Sequence, residues 1–98
     1  MELKELQSLI KEKYYELDLK SGALFLLAVL FEEVGELAEA VRKNEKDNIK
    51  EELVDVLFMV LSLANLFDLE LEDRLIEKYV EGDPSEGWDL PHNSDSNN

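Results

Sequence analysis

Residues 30–41 read L-F-E-E-V-G-E-L-A-E-A-V, and residues 49–58 read I-K-E-E-L-V-D-V-L-F. One pattern occurs in both, as Glu32-Glu33-Val34-Gly35-Glu36 and as Glu51-Glu52-Leu53-Val54-Asp55. Each copy sets two carboxylates three positions apart inside an apolar run. On a helix, positions i and i+3 share a face, so each copy aims an acid pair in one direction. At about 100° per residue, Leu26, Val29, Leu30, Leu37 and Ala40 fall within about 60° of Glu33. Glu36 lies at the edge of that stripe, while Glu32 and Glu39 turn to the wet face. The second copy repeats the arrangement. Val56, Met59, Leu63 and Leu66 surround Glu52, Asp55 lies beside Leu66 and Ser62, and Glu51 points outward.

An ionised carboxylate withdrawn from water costs several kcal/mol unless it is neutralised, and mutual repulsion among four of them adds to that. The chain has only ten Lys and Arg, none of them within either pair's stripe. Ordinary surface glutamates would explain one such pair. Two pairs, each set in the apolar stripe of its own helix, point to a divalent cation. Oxygen-only ligation without Cys or His suits a hard ion, Mg²⁺ first and Mn²⁺ second.

The rest of the chain sets the frame. Its 98 residues fit one domain, with residues 1–82 helical and residues 83–98 an acidic tail without period, expected to be disordered. A net charge of −14 speaks against nucleic acid or an anionic membrane as partner. There is no Cys, hence no disulfide framework or thiolate metal site. The longest apolar run, residues 23–31, is about half the ~20 residues a membrane helix needs. The start M-E-L-K-E-L lacks signal-peptide character, so a cytoplasmic location is expected.

Four helices are expected. The first, over residues 2–20, has a stripe of Leu3, Leu6, Ile10, Tyr14 and Leu17, with Lys13 and Lys20 as solvated flanks. Gln7 and Tyr14 share a neighbouring arc from which they could reach a ligand. Ser21 is a candidate N-cap for the second helix, over residues 23–42. That helix carries a second apolar stripe of Leu27, Phe31, Val34, Ala38 and Val41, which calls for a second set of neighbours, namely another copy of the chain. A polar connection over residues 43–48 makes the second and third helices antiparallel, and Asn48 with Glu51 resembles a capping box. The third helix covers residues 49–67. A shorter fourth, over residues 71–80, has Leu71, Leu75 and Tyr79 as its apolar line. Lys78 leans toward that line, either to meet phosphate or a carboxylate or simply as a snorkelling lysine. In the tail, Trp88 and Leu90 are candidates for docking on the body or on a partner, and His92 reads as solvated.

The doubled E-E-x-x-E and E-x-x-D pattern, with Glu32-Glu33-Val34-Gly35-Glu36-Leu37-Ala38-Glu39-Ala40, Glu51-Glu52-Leu53-Val54-Asp55-Val56-Leu57 and Ala64-Asn65, resembles the MazG-type all-α nucleoside triphosphate pyrophosphohydrolases over residues 22–80. The resemblance implies an all-α, four-helix bundle completed by homodimerisation or by a dimer of dimers, with subunits jointly building each pocket. It implies Mg²⁺ held by Glu33, Glu36, Glu52 and Asp55, with Glu32 as a catalytic helper beside Glu33 and Glu36. It also implies cleavage between the α and β phosphates of a nucleoside triphosphate, giving the monophosphate and pyrophosphate. Relatives often carry a basic cluster after the fourth helix. Here the chain runs on as Tyr79-Val80-Glu81-Gly82-Asp83-Pro84, and only Lys78 matches a substrate-binding position. Two other readings stand beside this one: a phosphoribosyl-ATP pyrophosphohydrolase of the same superfamily, and a non-catalytic metal-binding helical dimer. A di-iron carboxylate bundle would need Glu-x-x-His pairs, which neither copy has.

Overall fold

A computed structural model describes residues 1–88 of the chain. Four helices account for nearly all of them: α1 (Leu3–Ser21), α2 (Ala23–Lys43), α3 (Lys46–Leu66) and α4 (Glu72–Leu75). The last of these continues as a wider π-helical stretch over Ile76–Glu81, and one 3₁₀ turn follows at Pro84–Gly87. The all-α expectation therefore holds. Among the described residues, no helix is long and apolar enough to cross a membrane.

The joints differ from the expected ones. Ser21 does not cap α2. It is the last residue of α1, and its hydroxyl donates to the Leu17 carbonyl at 3.0 Å. Gly22 makes the turn alone. Its N–H donates to Asp18 O at 2.9 Å, closing α1, and its carbonyl accepts from Leu26 N at 3.1 Å, opening α2. It does so at φ 89°, where a side chain would be strained. The second joint is likewise shorter than expected, only Asn44 and Glu45. Asn44 is left-handed (φ 56°, ψ 39°), and the Glu45 N–H returns to Ala40 O at 3.1 Å, so α2 ends sharply. The capping box at Asn48 is not formed, because α3 has already begun at Lys46. The Asn48 amide donates instead to the Glu45 carboxylate at 3.2 Å.

Helix α1 packs by a face rotated from the apolar one read in the sequence. Leu6 and Leu17 are exposed, and the two buried residues of α1 are polar, Gln7 and Asp18. The covered line is Leu3-Gln7-Ile10-Tyr14-Asp18. Gln7, offered above as a ligand contact, is fully occupied. Its amide donates to Asn65 Oδ1 at 3.0 Å and to Leu69 O at 2.6 Å, and its Oε1 accepts from Leu71 N at 3.3 Å. Asn65 donates back to Gln7 O at 3.0 Å. One side chain thus holds the start of α1 against the end of α3 and the turn into α4. Nearby, the Glu72 carboxylate accepts from Lys4 N at 3.1 Å, satisfying one of the free N–H groups in the first turn of α1.

The fully buried apolar side chains are few: Leu26, Ala40, Met59, Leu61 and Ala64. They lie between α2 and α3 and under α1, where Tyr14 meets Phe58 edge to face at 5.0 Å. At the start of the tail, Asp83 accepts from Ser85 N at 3.0 Å and Trp88 lies 6.2 Å from Tyr79, ring to ring. Leu90, His92 and the remainder of the tail lie outside the described residues.

Replacing Gln7 by Ala strands one buried acceptor, Asn65 Oδ1, and a part-buried acceptor and donor, Leu69 O and Leu71 N, together costing on the order of 2–3 kcal/mol. Gln7→Ala should lower stability by about 2–3 kcal/mol in urea titrations at fixed protein concentration, with an unchanged m-value. A loss within ~0.5 kcal/mol would place the hold on α1 elsewhere.

Candidate metal centre

The two acid pairs converge. Helices α2 and α3 run in opposite directions, so Glu33 comes opposite Asp55 while Glu36 comes opposite Glu52. One carboxylate oxygen each from Glu33, Glu36 and Glu52 lies within 4.8 Å of the others. Asp55 acts on both Glu33 and Glu52 as a neighbouring charge and hydrogen-bond partner. Glu33 and Glu52 are half-buried, and Glu36 and Asp55 are exposed, so the cluster forms the floor of an open site.

The cluster is electrostatically strained. Partial withdrawal from water, followed by the charges of Glu36 and Asp55, raises the Glu33 carboxyl from 4.5 to about 7. Glu52 is raised for the same reasons, partial burial first and then Glu36 and Asp55. Among the described residues, none of the four is in an ion pair with a Lys or Arg. The outer acids behave differently. Glu39 pairs with Arg42 at 2.6 Å and with Lys43 at 3.3 Å, which holds it below the usual carboxylate range. Glu32 and Glu51 are exposed and stand outside the convergent set.

This donor set fits a hard divalent cation. All the ligating atoms are carboxylate oxygens, and opposite ligands of an octahedral Mg²⁺ stand about 4.1 Å apart, so small side-chain rotations from a 4.8 Å span would close the shell. Lys78 is not brought to these acids within one chain. It lines an apolar groove with Leu3, Val60, Leu71 and Tyr79, on a flank of α3 roughly 80–180° around from Glu52.

Asp18 of α1 and Ser62, two turns beyond Asp55 on α3, are buried neighbours; the sequence reading set Ser62 beside Asp55 but gave neither residue a role. Asp18 is only 8% exposed and Ser62 only 1%. Burial raises the Asp18 carboxyl, and the nearby Ser62 hydroxyl lowers it in part. The Ser62 hydroxyl still has no hydrogen bond of good geometry. The available signal was the spacing of Tyr14 and Asp18, one helical turn apart on the packed line of α1.

A raised acid has a definite sign in stability. The folded chain holds the Glu33 proton more tightly than the unfolded chain does. That contribution is fully present below about pH 4.5 and is lost as pH rises through about 7. In chelator, the melting temperature should therefore fall between pH 5 and pH 8, and Glu33→Gln should flatten the decline. Parallel profiles for the two proteins in a thermal-shift titration would contradict the convergence.

Comparison with known proteins agrees with this geometry. Residues 22–85 match the family described as the MazG nucleotide pyrophosphohydrolase domain. The chain is 41% identical over 82 residues to the uncharacterized protein YpjD of Bacillus subtilis (strain 168), covering 70% of this chain and 68% of that protein. It is 45% identical over 49 residues to an uncharacterized protein of Archaeoglobus fulgidus, covering 44% of this chain and 53% of that one. The matched residues include both acid pairs and the two helices that carry them, and the chain belongs to the MazG nucleotide pyrophosphohydrolase domain family.

Proposed function

We propose that this chain is a Mg²⁺-dependent pyrophosphohydrolase that cleaves nucleoside triphosphates between the α and β phosphates. The observation that carries the reading is the meeting of Glu33, Glu36, Glu52 and Asp55 without a compensating Lys or Arg. These four would hold the cation. When bound, it would bridge phosphate oxygens, acidify a water molecule and offset the charge that develops on the phosphates, with Mn²⁺ as a substitute. Glu32, exposed and outside the ligand set, would take the proton from the attacking water. The water oxygen bonds to the α-phosphorus as the bond to the bridging oxygen breaks, and pyrophosphate departs with the electron pair. Such a reaction belongs in the cytoplasm, among soluble nucleotides.

The reading includes a second copy of the chain. Leu24, Leu27, Phe31, Val34, Ala38 and Val41 alternate by three and four along α2, which is the spacing of a helix–helix seam. Leu24 is 82% exposed, Phe31 65% and Val41 56%, and Leu53 on the same flank of the α2–α3 hairpin is 52% exposed. A row of this size left in water is what a second α2–α3 hairpin would cover. Contact between Lys78 and phosphate fits this reading only across such a dimer, because Lys78 sits on the apolar flank.

The test is pyrophosphate release from a panel of canonical nucleotides and phosphoribosyl-ATP, with and without Mg²⁺. Turnover of triphosphates in Mg²⁺ is expected, with a loss of at least about 100-fold for Glu33→Ala and Glu52→Ala and a milder one for Glu32→Ala. The first two should leave metal-free stability equal or higher, because each relieves repulsion. Phosphoribosyl-ATP as the sole substrate would redirect the reading within the superfamily. Metal-raised melting without any turnover would favour a metal-binding dimer. Sedimentation should show dimers or larger assemblies at micromolar concentration, and Phe31→Lys should yield monomers. A monomeric wild type would refute the second copy.

A further inference from the structure

After its last helix the chain doubles back. The π-helical stretch closes at Gly82, whose N–H donates to Glu77 O at 3.2 Å. A β carbon at Gly82 would stand 3.2 Å from the carbonyl oxygens of both Glu77 and Lys78, so glycine lets the chain turn close against the helix it has just left. The Pro84–Gly87 turn follows, and Trp88 comes to Tyr79 with its ring 6.2 Å away. The described chain thus ends beside Tyr79.

Tyr79 is also a wall of the apolar groove that runs between α3 and the last helix. Leu61 is buried in that groove, Leu71 is half-buried, and Leu57, Leu75 and Tyr79 are exposed. Its volume is about 320 Å³, room for an apolar side chain. Lys78 lines it too, with Nζ 5.3 Å from the Tyr79 ring, and among the described residues Lys78 is in no ion pair. The α2 row assigned above to a second copy is a separate surface, because none of its side chains lines this groove.

We propose that residues 89–91, Asp89-Leu90-Pro91, dock in this groove of their own chain, with Leu90 among Leu57, Leu71 and Leu75 and Asp89 toward Lys78. Three observations favour this occupant. The segment starts at the groove's wall, and Leu90 lies two residues past Trp88, a reach of about 7 Å. Leu90 is the one large apolar side chain among the ten residues that follow Trp88, and exposed leucines are what it would cover. Those ten residues also hold two acids and no Lys or Arg, which complements Lys78. Pro91 disfavours the helical region for the residue before it, so Leu90 approaches in extended form and gives up less backbone freedom on docking. The charge pair lies at an exposed rim and is screened by salt, so apolar contact carries the docking. Phosphate reaching Lys78 across a dimer would have to compete with Asp89.

The chain has no Cys, so Asn93→Cys gives the full-length protein a single site for a nitroxide label. In methyl NMR spectra the Leu57, Leu71 and Leu75 signals should lose more than half of their intensity when the label is oxidised and regain it when it is reduced. Leu90→Asp in the labelled chain should restore most of the lost intensity, and Lys78→Glu or added salt a smaller part. Leu90 lies beyond the helical body, so its replacement leaves the fold intact, which unchanged methyl shifts of Leu26 and Met59 would verify. Groove methyls unaffected by the wild-type label would overturn the proposal, as would broadening that survives Leu90→Asp. So would equal broadening when label and isotope are carried by different chains of a mixed sample, which would give the groove to the tail of a second copy.

Discussion

Repulsion among like charges is the constraint around which this chain is arranged. Four carboxylates from two helices approach one another with no basic side chain among them, and Glu33 answers by holding its proton to about pH 7. Such a cluster pushes α2 and α3 apart. The hairpin resists with a two-residue joint at one end and, along its length, Leu26, Met59, Leu61 and Ala64 packed out of water. The site is therefore built before anything binds to it, and the free energy of assembling it is already spent in folding.

The metal-centre half of the molecule was legible because it follows from a regular period. Helical phase alone placed Glu33 and Glu52 inward and Glu32, Glu39 and Glu51 outward, and the structure distributes them that way. Phase also announced the second apolar stripe of α2. What phase cannot convey is which of two competing polar groups takes a terminus. Ser21 and Asn48 have the chemistry of N-caps, yet a left-handed Asn44 and a lone Gly22 set the boundaries first. Helix α1 misled for a related reason. Its leucines suggested the packed face, but Gln7 can satisfy three backbone and side-chain groups of α3 and the α4 turn at once, and that outweighs the burial of Leu6 or Leu17.

The two flanks of the α2–α3 hairpin are accordingly unlike. On one lie the acids, the Tyr14–Phe58 pair and the polar seats of α1. On the other lie bare leucines, Phe31 and the groove that holds Lys78 and Tyr79. On the reading proposed above, chemistry and self-association would use different flanks of the same two helices. A change to one can be tolerated by the other only so far as the thin core between them transmits no strain.

The joint at Gly22 has a mechanical consequence. A 19-residue helix is about 28 Å long, so a tilt of only a few degrees about a one-residue pivot displaces the distal end by more than an ångström. Near the pivot, at Asp18, the same tilt barely registers. The arm therefore needs a hold least beside Ser62 and most at its remote tip, which is where Gln7 pins it.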